Sequence, residues 1–318
     1  MKTRDQYIYD LQAKFKSLNT QLWENKVNWS LVEKWYTQFR SHAEVEQDEQ
    51  LQILFLASHF MYFGQKEVRA LLRALFRDLY QYRIIERIRR KHYDTLDRKI
   101  IAEGYRQALA STRFIGLGGP SESGSFLLYP FRQENNLSIA HFADSRSLLS
   151  RHGWKGLFRR KLVDETVAHY VFIDDLCGSG TQAEQYSKRL LRHLKRLNRT
   201  ATIYYFPLVA TERGLSEVRK LKQFDDVATV VELDESFKCF SDQSRIYKNE
   251  PAPFDRSKAK SIAQEYGRRL WPGNALGWKD GQLLLGFNHN TPDNSLPIIW
   301  YGEPGSAWTP LFKRSHKK

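Results

Sequence analysis

The stretch that decides the fold is VFIDDLCGSGTQ, residues 171–182. An apolar run ends in two adjacent acids, Asp174 and Asp175, and a Gly/Ser/Thr loop then opens directly into a helical pattern. The apolar run predicts a strand buried on both faces, as in a parallel sheet. The backbone N–H groups of Gly178, Ser179, Gly180, Thr181 and Gln182, with the positive end of the following helix, predict an anion site suited to one phosphate. Two carboxylates at the strand's end suit vicinal ribose hydroxyls, so the stretch as a whole suits a ribose 5-phosphate.

Working outward, VAHYVFID, ATIYYFPLVA and VATVVELD read as three strands. The segments 180–197 and 214–223 between them read as helices, the alternation of a parallel, helix-covered sheet. Upstream, residues 7–110 contain no proline and almost no glycine, and their apolar residues recur at helical spacing. At Arg113 the texture changes to short apolar runs around a Gly/Pro/Ser loop, 116–125, whose most prominent side chain is Glu122. The expected organisation is a helical N-terminal domain, 1–110, followed by an α/β domain, 111–318. In the less regular C-terminal part, residues 257–270 read as a helix and 282–287 as one more strand.

The 318 residues carry 50 Lys+Arg against 36 Asp+Glu, a net charge of +14, which points to a polyanionic partner. Seven cations fall within residues 83–99, among them Arg87, Arg89, Arg90 and Lys91. Lys155, Arg159 and Arg160 belong to a second basic run that includes Trp154 and Phe158. Arg192 and Arg196 belong to a third, on the helix after the glycine loop. Each run reads as a nucleic-acid contact or as a solvated face, and the second also as a mobile loop over the active site. With 41% hydrophobic residues the chain should fold. Two cysteines cannot build a disulfide framework, so a reducing, cytoplasmic setting is expected. The start, MKTRDQYIYD, lacks a signal peptide's apolar core, and the longest mostly apolar run, 51–63, is too short to span a bilayer.

The run Val171, Phe172, Ile173, Asp174, Asp175, Leu176, Cys177, Gly178, Ser179, Gly180, Thr181, Gln182 resembles the signature of the type I phosphoribosyltransferases. The resemblance implies a ligand such as phosphoribosyl pyrophosphate or a nucleotide, with Mg2+ carried by the ligand near Asp174 and Asp175. It gives those acids the ribose hydroxyls and catalysis, and the 178–182 loop the 5-phosphate. Gln182 departs from the signature, which usually has Thr there, and Glu122 stands in the loop where the family would bind pyrophosphate.

The Gly-Ser-Gly-Thr-Gln loop, the long helical N-terminal region and the ending GQLLLGFNHNTPDNSLPIIW resemble more closely a PRTase-CE type family of bacterial conflict systems. Its members include effectors of retron anti-phage operons. That resemblance implies a toxin held inactive by a reverse transcriptase and its RNA–DNA product, beside a small DNA-binding protein in some systems. Two alternatives stay open: a regulator that keeps only the ligand pocket, and a nucleic-acid-binding protein. GSGTQA also fits the dinucleotide pattern G-x-G-x-x-A, but no acid follows about twenty residues on.

Overall fold

The computed structural model describes residues 2–40, 46–118, 123–152, 159–248, 252–303 and 305–314. The chain forms two compact units, Val68–Glu232, and Met1–Glu67 with Leu233–Lys318.

The first of these is built on a parallel sheet. Its strands are β1 (Thr112–Gly116), β2 (His169–Cys177), β3 (Thr202–Thr211) and β4 (Asp226–Val227), side by side in that order. Val231–Leu233 also pairs with β3. The segment VATVVELD thus yields two short strands rather than one. β2 is buried along nearly its whole length because both its faces are covered. On one face Tyr170, Phe172, Ile203 and Tyr205 pack with Ala183, Leu191 and Leu194 of helix α2, residues 181–197, and with Leu215 and Val218 of α3 (Glu212–Lys220). α2 runs as Thr181–Tyr186, a π-helical turn Ser187–Leu191, and Arg192–Leu197.

Elsewhere in the unit, Phe114 meets Tyr80 and Phe131 at 5.0 Å and Phe76 at 6.0 Å, mostly edge-on. Phe131 lies on the helix Ser123–Glu134. An antiparallel ribbon, Leu149–His152 with Arg159–Leu162, was not foreseen from the sequence.

The chain therefore divides elsewhere than at 110/111. Residues 68–110 pack on the sheet: the Tyr80 and Thr112 hydroxyls are 2.7 Å apart, and Arg83 Nε donates to Asp226 at 2.7 Å. Helical periodicity shows that a face is apolar without showing what it packs on, and residues 7–110 have no Pro and only the lone Gly64 near the break.

The other unit joins both ends of the chain. Helices Arg4–Gln21, Trp29–Tyr36, Glu46–Ala57 and Arg256–Leu270 enclose Trp23, Trp35, Phe39, Phe60, Tyr266 and Phe312. The strand expected at 282–287 forms as Leu285–Phe287, pairing in parallel with Met61–Phe63 rather than joining the main sheet.

His169, at the start of β2, has its pKa lowered to about 4 by burial, then by the Arg87 charge. The unfolded chain binds that proton near 6.5, so this contribution to stability is intact above pH 6.5 and lost as pH falls towards 4. His169→Asn should gain on the parent by about 2 kcal/mol between pH 7 and pH 5. Paired urea titrations at the two pH values check it; a gap that stays constant contradicts the assignment.

Candidate functional site

The site is assembled where β2 ends. The structure separates the two acids. Asp174 is 1% exposed, and its Oδ2 accepts the Tyr205 hydroxyl at 3.0 Å. Burial, reinforced by the neighbouring Asp175 charge, raises the Asp174 pKa well above the usual carboxylate range. Asp174 is thus committed to neighbouring groups of its own fold and held towards its neutral form. Asp175 is 7% exposed, and its Oδ1 accepts the Leu176 N–H at 2.8 Å.

Beyond the acids the chain turns through Gly178–Ser179–Gly180 into α2. Gly180 has φ +74°, a backbone that favours glycine, and α2 begins at Thr181. The Ser179 and Thr181 hydroxyls lie 2.9 Å apart, and Gly178, Ser179, Thr181 and Gln182 are partly exposed. Loop amides, two hydroxyls and one carboxylate are the groups a phosphorylated sugar needs.

Three residues that sequence reading missed hold this loop. Tyr205 fixes Asp174. Thr211 caps α3 by accepting the Gly214 N–H at 2.9 Å, and its hydroxyl donates to the Gly178 carbonyl at 2.5 Å. Gly214 lets α3 approach the loop, because a Cβ there would collide with the Cys177 carbonyl and come within 2.7 Å of that of Gly178. Thr211 followed three residues later by Gly214 at a helix start was a readable N-cap signal, but its partner across the sheet was not.

On the other side of the strand end, Leu117 N–H donates to the Ile173 carbonyl at 2.8 Å. Gly124 sits so close that a Cβ would come within 2.9 Å of that same carbonyl. Glu122 lies outside the described residues. Cys177 is buried and its thiol is pushed up to about 12, chiefly by burial, so it fills space as a thiol.

Magnesium fits only as an ion carried on the ligand. Among the described residues no group of three or more His, Cys, Asp or Glu side chains could hold a metal. Asp175 would supply one carboxylate to an ion carried on the ligand, in keeping with the way Mg2+ binds through few protein groups plus phosphates and water. Asp174, committed to Tyr205, does not fit as a ligand.

The cations expected at nucleic acid do not act alike. Arg87 is committed to its own unit: its guanidinium bonds the Tyr204 hydroxyl and lies 5.2 Å from that ring's centre. Arg89 pairs with Glu86 at 2.7 Å. Arg90, Lys91, Arg192 and Arg196 are exposed, as is Arg160 on the ribbon. Arg159 stands opposite His152 in the ribbon's register, and Lys155 lies outside the described residues. Among the described residues no helix is long and apolar enough to cross a membrane.

Among solved structures, the chain is similar to the AQ2163 protein from Aquifex aeolicus, at 10% identity and TM-score 0.30, covering 64% of this chain and 83% of that one. It is similar to orotate phosphoribosyltransferase from Aeropyrum pernix, at 14% identity and TM-score 0.25, covering 52% and 75%. It is also similar to the Helicobacter pylori xanthine-guanine-hypoxanthine phosphoribosyltransferase, at 6% identity and TM-score 0.26, covering 54% and 92%. No curated protein matches the sequence. The PRTase-CE family profile matches residues 32–314. That span takes in the Asp-Asp strand end, the glycine loop and the parallel sheet that presents them, and the chain belongs to the PRTase-CE family of phosphoribosyltransferase-like proteins.

Proposed function

We propose that the chain binds a ribose 5-phosphate ligand, phosphoribosyl pyrophosphate or a nucleotide, and transfers or cleaves at its anomeric carbon. The observation that carries this reading is the juxtaposition of Asp175 with the Gly178–Gln182 loop at the end of β2, in a chain of this family. The loop amides and the Ser179 and Thr181 hydroxyls take the 5-phosphate, and the Asp175 carboxylate accepts from a ribose hydroxyl. That carboxylate also favours the positive charge that develops on the ribose as the bond to the leaving group breaks. Magnesium, when bound with the ligand, neutralises charge on a departing diphosphate. Tyr205 and Asp174 keep the strand end in place, and the Cys177 thiol takes no part.

The physiological role proposed with this chemistry is that of an anti-phage effector, as in retrons, kept inactive by a reverse transcriptase and its RNA–DNA product. Its support is the resemblance of the loop and of the C-terminal sequence. Cells producing the protein should lose phosphoribosyl pyrophosphate or one nucleotide pool, and cells producing Asp175→Asn should not. Metabolite profiling reads the difference; equal depletion by both would sink the enzymatic reading. A non-catalytic ligand sensor is the second reading, favoured by the engagement of Asp174 with Tyr205. It predicts binding without any pool change.

A further inference from the structure

In the unit that holds the sheet, two helices, Tyr82–Lys91 and Arg98–Ala110, form a hairpin. They cross closely at Gly104, where a Cβ would come within 3.0 Å of Ile88 Cγ2. The second helix has no buried residue in its 13 positions. The turn joining them is nevertheless well fastened. Arg89 Nε donates to the Thr95 carbonyl at 3.2 Å, and Asp97 N–H donates to the Thr95 hydroxyl at 3.1 Å. Asp97 then caps the second helix by accepting the Lys99 N–H at 2.7 Å.

Within this turn Tyr93 and Asp94 both take left-handed backbone, φ 54° and 56°. Two consecutive non-glycine residues there are strained, and such strain persists where the surroundings impose it. Tyr93 in this turn is 99% exposed, and Leu96 77% exposed. Arg90, Lys91, Arg98 and Lys99 surround them, exposed and with no ion-pair partner among the described residues, while His92 and Asp94 are also exposed. Of the two acids in the turn, Asp97 is occupied as the cap. Packing gives no reason to present an aromatic ring this way.

We propose that this turn is a contact for single-stranded nucleic acid, in which Tyr93 stacks on an unpaired base and Arg90, Lys91, Arg98 and Lys99 meet the flanking phosphates. A duplex offers no free base face to a protruding ring, so it could use only the cations. A membrane surface would call for a continuous apolar face, whereas Tyr93 and Leu96 are separated by Asp94 and Thr95 and ringed by charge. Arg87 and Arg89 take no part, being bonded within the fold. The proposal uses none of the residues at the ribose-phosphate site.

Fluorescence anisotropy tests it, with labelled oligothymidylate, oligouridylate and a DNA duplex titrated with the full chain over a range of KCl. Both single strands should bind more tightly than the duplex, and their ratio tells DNA from RNA. Tyr93→Ala should weaken single-strand binding about 5- to 150-fold, and Tyr93→Phe should restore it. The double variant Arg90→Ser/Lys91→Ser should lower the slope of log K against log salt by about 1.4. Circular dichroism melts of the variants should match the parent, since Tyr93 is in solvent. Equal affinity for duplex and single strand, undiminished binding by Tyr93→Ala, an unchanged salt slope, or capture by anionic vesicles but not by oligonucleotides would each overturn it.

Discussion

Gly214→Val should abolish tight ligand binding while leaving most of the fold in place. Gly214 is the third residue of α3, pressed flat against the glycine loop, and a Cβ there would sit 2.7 Å from the Gly178 carbonyl and closer still to that of Cys177. Both obstacles are backbone, so neither can swing aside. Either α3 retreats, breaking the Thr211 bond to the Gly178 carbonyl, or the loop shifts and its amides no longer converge on one phosphate. Overpacking of this kind costs about 1–3 kcal/mol of stability. A loop displaced by about 1 Å costs on the order of a hundredfold in a positioned interaction. Calorimetry with phosphoribosyl pyrophosphate and magnesium, beside a thermal melt, checks both; affinity within twofold of the parent would show that the loop does not hold the phosphate.

The second large effect is a split between neighbours. Asp175→Asn should weaken ligand binding about 10- to 150-fold, the range for losing a hydrogen bond to a charged group. Asp174→Asn should keep binding within a few fold, because the amide oxygen can accept the Asp175 N–H while its NH2 donates to a Tyr205 hydroxyl that rotates to accept. The same substitution has a pH signature. The folded chain holds the Asp174 proton more tightly than the unfolded chain does, so this group costs stability increasingly as pH rises above 3.8. Asp174→Asn removes that cost, and its stability relative to the parent should rise from pH 4 to pH 7. A relative loss of stability over that range would mean that Asp174 is ionised in the fold.

The strand, the loop and the helix after it were legible in residues 171–182, because an unbroken apolar run, adjacent acids and a glycine turn are local signals. Which of the two acids turns inward was not. Side chains alternate along a strand, so the two acids face opposite sides of the sheet, but which one turned inward depended on where the Tyr205 hydroxyl fell on the neighbouring strand. Gly214 was visible only as a glycine in a helix, and its use depends on carbonyls more than thirty residues earlier. The domain division failed for a related reason: residues 68–110 read correctly as helices, but the partners of their apolar faces, Phe114 and Phe131, lie beyond the expected boundary. The basic run at 83–99 looked uniform, yet Arg83 and Arg87 are bonded to Asp226 and Tyr204 while the cations at its far end point into solvent.

The most direct test of the central claim is isothermal titration calorimetry of phosphoribosyl pyrophosphate with magnesium into the parent chain, Asp175→Asn and Asp174→Asn. Saturable one-site binding by the parent, kept by Asp174→Asn and lost by Asp175→Asn, is the predicted result. No binding by a folded parent chain, or binding that Asp175→Asn leaves intact, would contradict the account.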